Sequence, residues 1–453
     1  MQIKIPFSLK YKNIFNQDFW PSLKNIPKLI NRWDKIFIIF GLIITLTGIF
    51  CLGFNQWLKN THEVPAFGST LNEGIVGTTS DLEKHTLRLT NAGLTYLAEN
   101  GDIKGDLAES REILDDGKTY KFKIRSGFNA QDLAEQIKIK NVWPNIEIEA
   151  SDEQFLIFRF KQPFSPFLYI STEPIFPYGP YKLAKEEKTR MTYVASDSYW
   201  QGKPHIEKIV MNLFADEESL LSAVKHGEVD SFYANSAVDE ADDYRQFEMI
   251  LPRELILFFN LSKPVLQDVT VRKNLKEGKA LDKEITLELA TSDTEKNMKI
   301  AEGLKTKWAS LKVTINIHKY DKVTIQKEII PNRNYDILLY GLDYGPDPDP
   351  YPFWHSSQIK PDGMNLSNYS NKTSDKLLEE ARQSYDFKVR EEKYASFRDI
   401  LNQQMPFIAL NKETYYYYVS DKIKGVEKIF GSSEHDRFLQ INKWYINSKR
   451  VKN

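Results

Sequence analysis

Three aspartates stand close together in one proline-rich stretch, GLDYGPDPDPYPFW, at residues 341–354. Asp343, Asp347 and Asp349 have the type and spacing to do chemistry, because carboxylates bind cations and ligand ammonium groups. A buried carboxylate needs a positive partner, since an unpaired buried charge is costly. Tyr344 and Trp354 lie beside them and could wall a pocket by stacking. Aspartates in such a loop also cap turns, so both interpretations stay open.

The other residues that could do chemistry form no known catalytic or metal-binding pattern. The aspartate loop lacks the spacing of a calcium-binding loop, and neither a G-x-S-x-G elbow nor a Walker phosphate loop occurs. The histidines are dispersed at His62, His85, His205, His226, His318, His355 and His435. None of them makes a tight metal-binding spacing. The sequence therefore gives no reason to expect an enzyme, a metal or a cofactor.

The elements that must position the aspartate loop alternate between strands and helices. KTYKFKIR at residues 118–125 alternates basic with apolar or aromatic residues, which is typical of a half-buried strand with a solvated basic face. After Asn260 the alternation predicts an α/β lobe with a mixed or parallel sheet. The predicted strands are residues 70–76, 118–125, 154–160, 206–214, 285–290, 313–317, 335–340 and 407–410. The predicted helices are residues 130–138, 216–224, 295–310, 320–330, 374–384 and 389–405.

Length and composition limit the class of protein. A chain of 453 residues is too long for one ordinary core and predicts two or three domains. With 41% hydrophobic and 27% charged residues, most of it is expected to fold as a soluble globule. The formal net charge of -1 gives no reason to expect a nucleic-acid partner. The single cysteine, Cys51, excludes an intramolecular disulfide.

An uncharged run, IFIIFGLIITLTGIFCLGF, occupies residues 36–54. It has the length of a bilayer-spanning helix, and Trp33 and Trp57 flank it as interfacial anchors would. Lysines and arginines dominate residues 1–35, so the positive-inside rule places that segment in the cytoplasm and the rest outside. We therefore expect a single-pass anchor at residues 36–57, followed by a polar tether at 58–66. A cleaved signal peptide and lipidation at Cys51 are the alternatives, although bulky Phe50 fits a lipid-attachment site badly.

The order of motifs along residues 67–430 resembles the dipeptide and oligopeptide solute-binding family, the large peptide-binding receptors of bacterial ABC importers. The matching segments are GSTLNEGIVG at 68–77, DLAES at 106–110, DDGKTYKFKIR at 115–125, QPFSPF at 162–167, GPYKL at 179–183, YWQGKP at 199–204, GEVD at 227–230 and DYGPDP at 343–348. Each motif is short, and their joint order and spacing make the resemblance specific. The match is weaker at residues 271–272 and 280–282.

The resemblance implies an α/β, two-lobed periplasmic-binding-protein-like fold of type II with a hinge. Lobe I would be residues 67–255 with 411–453 returning to it, and lobe II residues 256–410. The ligand would be a peptide or similar small solute. The chain would act as a monomeric receptor that delivers this ligand to permease subunits in the membrane. Asp343 matches the family's ammonium-binding carboxylate best, with Asp347 as second candidate. The other implied ligand-binding residues are Tyr344, Trp354, Tyr181 and Asn365.

Some of the family's loops near the cleft are shorter in this chain. Residues 128–132 lack the usual Asp-Gly turn, and residues 77–89 lack an Asn-Pro or Asp-Pro loop. After Asp282 a helical stretch of the second lobe is missing. These losses leave two functions open. One is an importer receptor, and the other is a membrane-tethered sensing or assembly module that keeps the fold without a transport ligand.

Overall fold

The computed structural model describes residues 31–453 except 144–145, 151, 235, 240 and 348, together with all their side chains except those of residues 80 and 83. The chain divides into two compact units. One combines the residues up to Pro65 with Ser448–Asn453, and the other is Ala66–Asn447. Most of the predicted cytoplasmic segment, residues 1–35, lies outside the described residues.

The described elements are numbered in chain order. The strands are β1 (Thr61–Pro65), β2 (Thr70–Val76), β3 (Thr95–Leu97), β4 (Ile103–Gly105), β5 (Ala108–Leu114), β6 (Thr119–Ile124), β7 (Glu147–Ala150), β8 (Phe155–Arg159), β9 (Tyr181–Glu187), β10 (Arg190–Ala195), β11 (Lys208–Phe214), β12 (Ser231–Ala234), β13 (Tyr244–Phe259), β14 (Ile285–Ser292), β15 (Val313–Tyr320), β16 (Ile337–Asp343), β17 (Phe407–Ser420) and β18 (Ser448–Lys452). The α-helices are α1 (Arg32–Lys59), α2 (Thr79–Thr90), α3 (Ala130–Lys140), α4 (Phe167–Ile170), α5 (Glu217–Lys225), α6 (Pro264–Gln267), α7 (Val269–Glu277), α8 (Glu295–Ala309), α9 (Lys322–Thr324), α10 (Ile330–Asn332), α11 (Tyr351–Trp354), α12 (Lys372–Gln383) and α13 (Phe387–Gln404). Short 3₁₀ turns are Asp115–Gly117, Ser356–Gln358, Glu434–Phe438 and Ile441–Lys443, and Ile325–Ile329 is a π-helical turn.

The first described helix, α1, is apolar on all sides. Asn31 caps its start, where the Asn31 backbone N–H donates to Asp34 Oδ2 at 3.1 Å. The Thr45 and Thr47 hydroxyls donate back to backbone carbonyls one turn earlier, so they add no unsatisfied polar group. No residue of α1 is buried, and within the described part of the chain it alone is long and apolar enough to cross a membrane.

The segment predicted as a polar tether, residues 58–66, is regular structure and not a free linker. Helix α1 continues to Lys59, and β1 follows after Asn60. β1 pairs antiparallel with β18 over five residues. The sequence could not reveal this pairing, because β18 lies almost 400 residues further along the chain and is itself short and polar.

A ten-stranded mixed sheet forms the frame of the larger unit, in the order β15-β14-β16-β13-β17-β12-β2-β11-β10-β9. β14 pairs parallel with β15 and β16, β2 pairs parallel with β11 and β12, and the other neighbours are antiparallel. The two longest strands, β13 and β17, lie at its centre. The predicted lobe boundaries, 255/256 and 410/411, fall inside these two strands. Their pairing changes register between Ile250 and Glu254 and again between Leu255 and Ile256.

Alternation along β13 builds a core on each face of the sheet. Ile256 and Phe258 point into a core shared with α12 and α13, whereas Leu257 and Phe259 point into a core closed by α8. All four side chains are fully buried. This period of two is the one expected for a strand covered by helices on both faces. The α/β fold expected from the sequence is confirmed.

A separate four-stranded sheet, in the order β5-β6-β8-β7, carries the KTYKFKIR motif on β6. Tyr120 and Phe122 are fully buried against Phe167 of α4, with their rings edge-on to it. Lys121 and Lys123 lie on the outer face, where they pair with glutamates of β5. The basic stripe is therefore a solvated strand face, as predicted.

Candidate ligand-binding site

The proline-rich aspartate loop begins where β16 ends, in the middle of the large sheet. Asp343 is the last residue of β16 and lies opposite Arg253 of β13. Gly345 follows in a left-handed conformation with φ of 66°, which glycine adopts without strain. The loop then leads into the short helix α11. The loop thus leaves the sheet next to the point where β13 and β17 change register.

Asp343 belongs to an ion triad with Arg253 and Glu434. Arg253 Nε donates to Asp343 Oδ2 at 2.7 Å, and the two terminal nitrogens of Arg253 donate to the carboxylate of Glu434, one at 3.0 Å. Asp343 Oδ1 accepts from the backbone N–H of Gly345 at 2.9 Å. The side chain of Asp343 remains 49% exposed, so it can still meet a ligand. Two carboxylates on one guanidinium leave the triad with a net charge of about -1 when all three groups are ionised.

The groups of the triad stabilise one another's ionised forms. Burial alone would raise the pKa of Glu434, but the hydrogen bonds and charge of Arg253 lower it to about 2. Burial would lower the pKa of Arg253, and hydrogen bonds to Glu434 and Asp343 raise it above its usual range. Both groups therefore stay charged at neutral pH.

Tyr344 and Trp354 lie together on the wall of one cavity of about 550 Å³. The ring of Tyr344 is edge-on to Phe353, and Trp354 is buried against Phe258 and Phe407. Burial, and then the nearby Glu254 carboxylate, raise the pKa of Tyr344, so its hydroxyl stays protonated. The cavity is lined by Leu97, Ile250, Leu251, Pro252, Arg253, Glu254, Tyr344, Gly345, Pro346, Pro350, Trp354, Phe397, Arg398, Leu401, Phe407, Lys412, Gly431 and Ser432.

Asp343 lines a smaller cavity of about 210 Å³ with Lys296 and Asn297 of α8. The two cavities share Arg253, Glu254 and Lys412 on their walls. The predicted carboxylate and the predicted aromatic wall are therefore neighbours across the triad, and do not line a single chamber.

Asp347 and Asp349 line neither cavity, because their carboxylates turn towards helices α12 and α13. Asp347 Oδ1 accepts from Arg390 at 2.6 Å, while its Oδ2 is buried without a hydrogen-bond partner. Asp349 accepts from Arg382 Nε at 2.8 Å and from the Tyr394 hydroxyl at 3.1 Å. Burial raises the pKa of Asp347 to about 6 against the opposing effect of Arg390. These aspartates bond the loop to α12 and α13 on the side away from the cavity, and so position Tyr344 and Pro346.

Tyr181 and Asn365 lie apart from the Tyr344 cavity. The Tyr181 hydroxyl donates to the carbonyl of Ile206 at 3.0 Å, and its ring edges a different cavity of about 840 Å³. Asn365 is fully buried, and its amide bonds the backbone of His355 and Tyr369. The Asn365 amide and the Tyr181 hydroxyl both make hydrogen bonds to the backbone of the protein itself. A ligand-binding role for either residue stays a prediction.

Arg253, Glu434 and Lys412 are site residues that sequence reasoning did not find. They come from β13, from a 3₁₀ turn near the end of the chain and from β17. A charged residue inside the apolar stretch 249–259 was the available signal at Arg253, since a strand centre seldom carries an arginine without a partner. Within the described residues no three histidines, cysteines or carboxylates come together as a metal site.

The α/β fold is that of the two-lobed, type II periplasmic binding proteins. Residues 102–278 match the family of bacterial extracellular solute-binding proteins, family 5 (Middle). Over these residues the chain is similar to this family. The relatives are solute-binding proteins and not enzymes.

Relatives and solved structures span most of the chain. The probable D,D-dipeptide-binding periplasmic protein DdpA of Escherichia coli K12 is 22% identical over 426 residues, which cover 72% of this chain and 82% of DdpA. The structure of the oligopeptide-binding protein AppA of Bacillus subtilis with a nonapeptide has a TM-score of 0.67 at 16% identity and covers 85% of this chain and all of AppA. The DppA protein of Helicobacter pylori, solved with the peptide STSA, has a TM-score of 0.65 at 16% identity and covers 84% and 98%.

Proposed function

We propose that this chain is a membrane-anchored, extracytoplasmic receptor that captures a peptide or similar small solute and delivers it to the permease of an ABC importer. The observation that carries the proposal is the cavity of about 550 Å³. One wall comes from Leu97, Gly431 and Ser432, the other from Tyr344 and Trp354. These walls lie in the sequence segments assigned to lobe I and lobe II. The volume is within the range of sites that enclose a small ligand.

A hinge between the lobes follows from the same arrangement. β13 and β17 would be the two crossings, since both run through the proposed boundaries and change register there. A ligand that contacts both walls favours the closed form, because only a difference in affinity between two states shifts their populations. The permease would then recognise the closed receptor.

Peptide is the ligand class that the relatives support. The Bacillus subtilis and Helicobacter pylori proteins were solved with peptides. In this chain the net negative triad of Asp343, Arg253 and Glu434 has room for one more cation, which a peptide ammonium would supply. Tyr344 and Trp354 would flank the peptide, and the Asp347–Arg390 pair would hold the loop that carries Tyr344.

Helix α1 would be the anchor, with the N-terminal segment in the cytoplasm and the larger unit outside. Its uncharged residues 36–54 form about 28 Å of helix at 1.5 Å per residue, close to the hydrocarbon thickness of a bilayer. An N-terminal helix of this kind also fits a signal peptide, and Cys51 on α1 is exposed. The intact mass of the mature protein from membranes distinguishes an uncleaved anchor from a cut or lipidated one.

The test of ligand capture is thermal unfolding of the full-length chain in detergent with a pool of di- to pentapeptides. A ligand that binds only the folded state raises the free energy of unfolding, by about 2.7 kcal/mol at a hundredfold excess over Kd. We expect stabilisation by free peptides, a smaller effect with N-acetylated peptides, and loss of that preference in Asp343→Ala.

Asp362→Ala is the matched control, because Asp362 is an exposed carboxylate beyond the aspartate loop that pairs with Lys360 on the surface. Equal stabilisation by free and acetylated peptides would move the ammonium site away from Asp343. No stabilisation by any peptide would favour the sensing or assembly module over the peptide receptor.

A further inference from the structure

Residues 57–65 and 448–453 form one structure at the outer end of α1, called here the juxtamembrane clasp. Its ribbon is the β1–β18 pair, and both chain connections to the unit Ala66–Asn447 leave from it. Arg450 closes the ribbon onto the helix. Its Nη2 donates to the carbonyls of Leu58 and Thr61 at 3.1 and 2.8 Å, and its guanidinium lies 5.2 Å from the ring centre of Trp57.

The clasp also satisfies the exposed carbonyls at the end of α1. The last carbonyls of a helix have no partner inside the helix. Here the Asn453 backbone N–H donates to Asn60 O at 3.0 Å, and its side-chain amide donates to Lys59 O at 3.1 Å. A guanidinium at this end is favourable as well, because the helix dipole is negative there. The distant strand β18 is thus built onto the helix end.

The outer surface of the clasp is basic. Lys59, Lys449 and Lys452 are exposed, whereas Arg450 is occupied by the contacts to the helix. Among its described residues the clasp has one carboxylate side chain, Glu63, which accepts a hydrogen bond from Ser448. Three ammonium groups therefore face solvent around the point where the helix ends.

The level of the clasp at the end of α1 identifies the partner of these lysines. Trp57 is 47% exposed and lies three residues beyond the uncharged run that ends at residue 54. Tryptophan at that position marks the level of the lipid headgroups. A basic side chain at this level is attracted to anionic lipid, and the attraction falls off within a Debye length.

We propose that the juxtamembrane clasp binds the phosphates of anionic phospholipid headgroups through Lys59, Lys449 and Lys452. The proposal rests on the membrane anchoring put forward under Proposed function. Because both connections to the larger unit leave from the clasp, this contact keeps both of them at the bilayer surface.

The experiment places the full-length chain in nanodiscs of phosphatidylcholine alone or mixed with phosphatidylglycerol. A water-soluble amine-reactive reagent labels the lysines, and mass spectrometry gives the rate at each site. We expect labelling of Lys449 and Lys452 to be about fivefold slower in the anionic bilayer, the ratio expected for a basic side chain near such a surface. High salt should remove the difference. Lys299 and Lys305, exposed on α8, are the internal controls and should label equally in both bilayers.

A double variant, K449E/K452E, separates the charge from the fold of the ribbon, since both side chains point to solvent. In this variant the ratio of the Lys59 labelling rates in the two bilayers should fall towards one. The K299E/K305E variant should leave that ratio unchanged. Equal labelling in both bilayers overturns the proposal. Retention of the chain in the nanodisc after an alkaline wash is measured first. A chain that is washed out contradicts the anchoring itself, and equal labelling in a retained chain contradicts this inference alone.

Discussion

At the scale of single residues, the buried carboxylate of Asp347 should make stability depend on pH. Burial raises the pKa of Asp347 to about 6 from 3.8. The folded state therefore holds the proton more tightly, and this contribution to the free energy of unfolding is complete below about pH 4 and lost as pH rises through 6. The difference in stability between wild type and Asp347→Asn should change by up to about 3 kcal/mol over that range. Denaturant unfolding at several pH values measures it, and a constant difference would contradict it.

Glu434 should show the opposite dependence. Arg253 lowers the pKa of Glu434 to about 2 from 4.5, so the unfolded chain takes up the proton first. Its contribution is complete above about pH 5 and is lost as pH falls towards 2. Glu434→Gln should therefore be less stable than wild type at neutral pH, by up to about 3 kcal/mol, and approach it in acid. The same unfolding series measures both variants, and a deficit that persists at pH 2 would show that Glu434 acts by packing alone.

At the scale of elements, the turn at Gly179 sets how closely a loop approaches the end of α2. A Cβ at Gly179 would overlap the backbone of Leu89 and Thr90 and lie 2.5 Å from the amide nitrogen of Asn91. Backbone atoms cannot move aside as a flexible side chain can, so Gly179→Ala should cost more than about 2 kcal/mol of stability. Gly303→Ala in α8 is the matched control, because its Cβ meets nothing within 4 Å. It should gain up to about 1 kcal/mol from helix propensity. Equal effects of the two changes in denaturant unfolding would contradict the close approach.

The elements also show what the sequence could and could not predict. Periodicity predicted β6 and α8 within a few residues, because each has a buried face and an exposed face. β16 was predicted from its apolar run, since it is buried on both faces of the sheet. The sequence predicted a short strand at residues 407–410 and strand-like runs after Asn411, whereas the structure has one continuous strand, β17, that runs to Ser420. Residues 411–413 are exposed and polar, so the hydrophobic pattern is interrupted there although the strand continues.

Interactions between distant segments were the larger omission in the sequence prediction. The aspartate loop and its aromatic neighbours are contiguous, so Asp343, Tyr344 and Trp354 were within reach of motif analysis. Arg253 and Glu434 are 181 positions apart and meet only in the fold. The β1–β18 ribbon escaped for the same reason, because short polar strands carry no pattern that names their partner.

At the scale of the whole molecule, two cavities compete as the place where a ligand binds. The larger, about 840 Å³, is lined only by residues between Thr86 and Trp200, all assigned to lobe I. The smaller, about 550 Å³, takes its walls from segments assigned to lobe I and from segments assigned to lobe II. A ligand in the larger cavity touches one lobe and cannot distinguish an open from a closed molecule. The larger cavity is favoured by volume alone. The smaller cavity is favoured by the proposed mechanism, because a ligand there would contact both walls of the cleft.

Hydrogen–deuterium exchange of the full-length chain with and without a stabilising peptide decides between the two cavities. Peptide should slow exchange at residues 250–254, 344–346 and 431–432, which come from both walls of the smaller cavity. Residues 126–128 and 182–183, which line the larger one, should exchange at unchanged rates. Slowing at 126–128 without slowing at 344–346 would place the ligand beside Tyr181 and remove the basis for ligand-driven closure. Slowing on both walls of the smaller cavity, together with a decrease in the radius of gyration, is the result that a hinge through β13 and β17 requires.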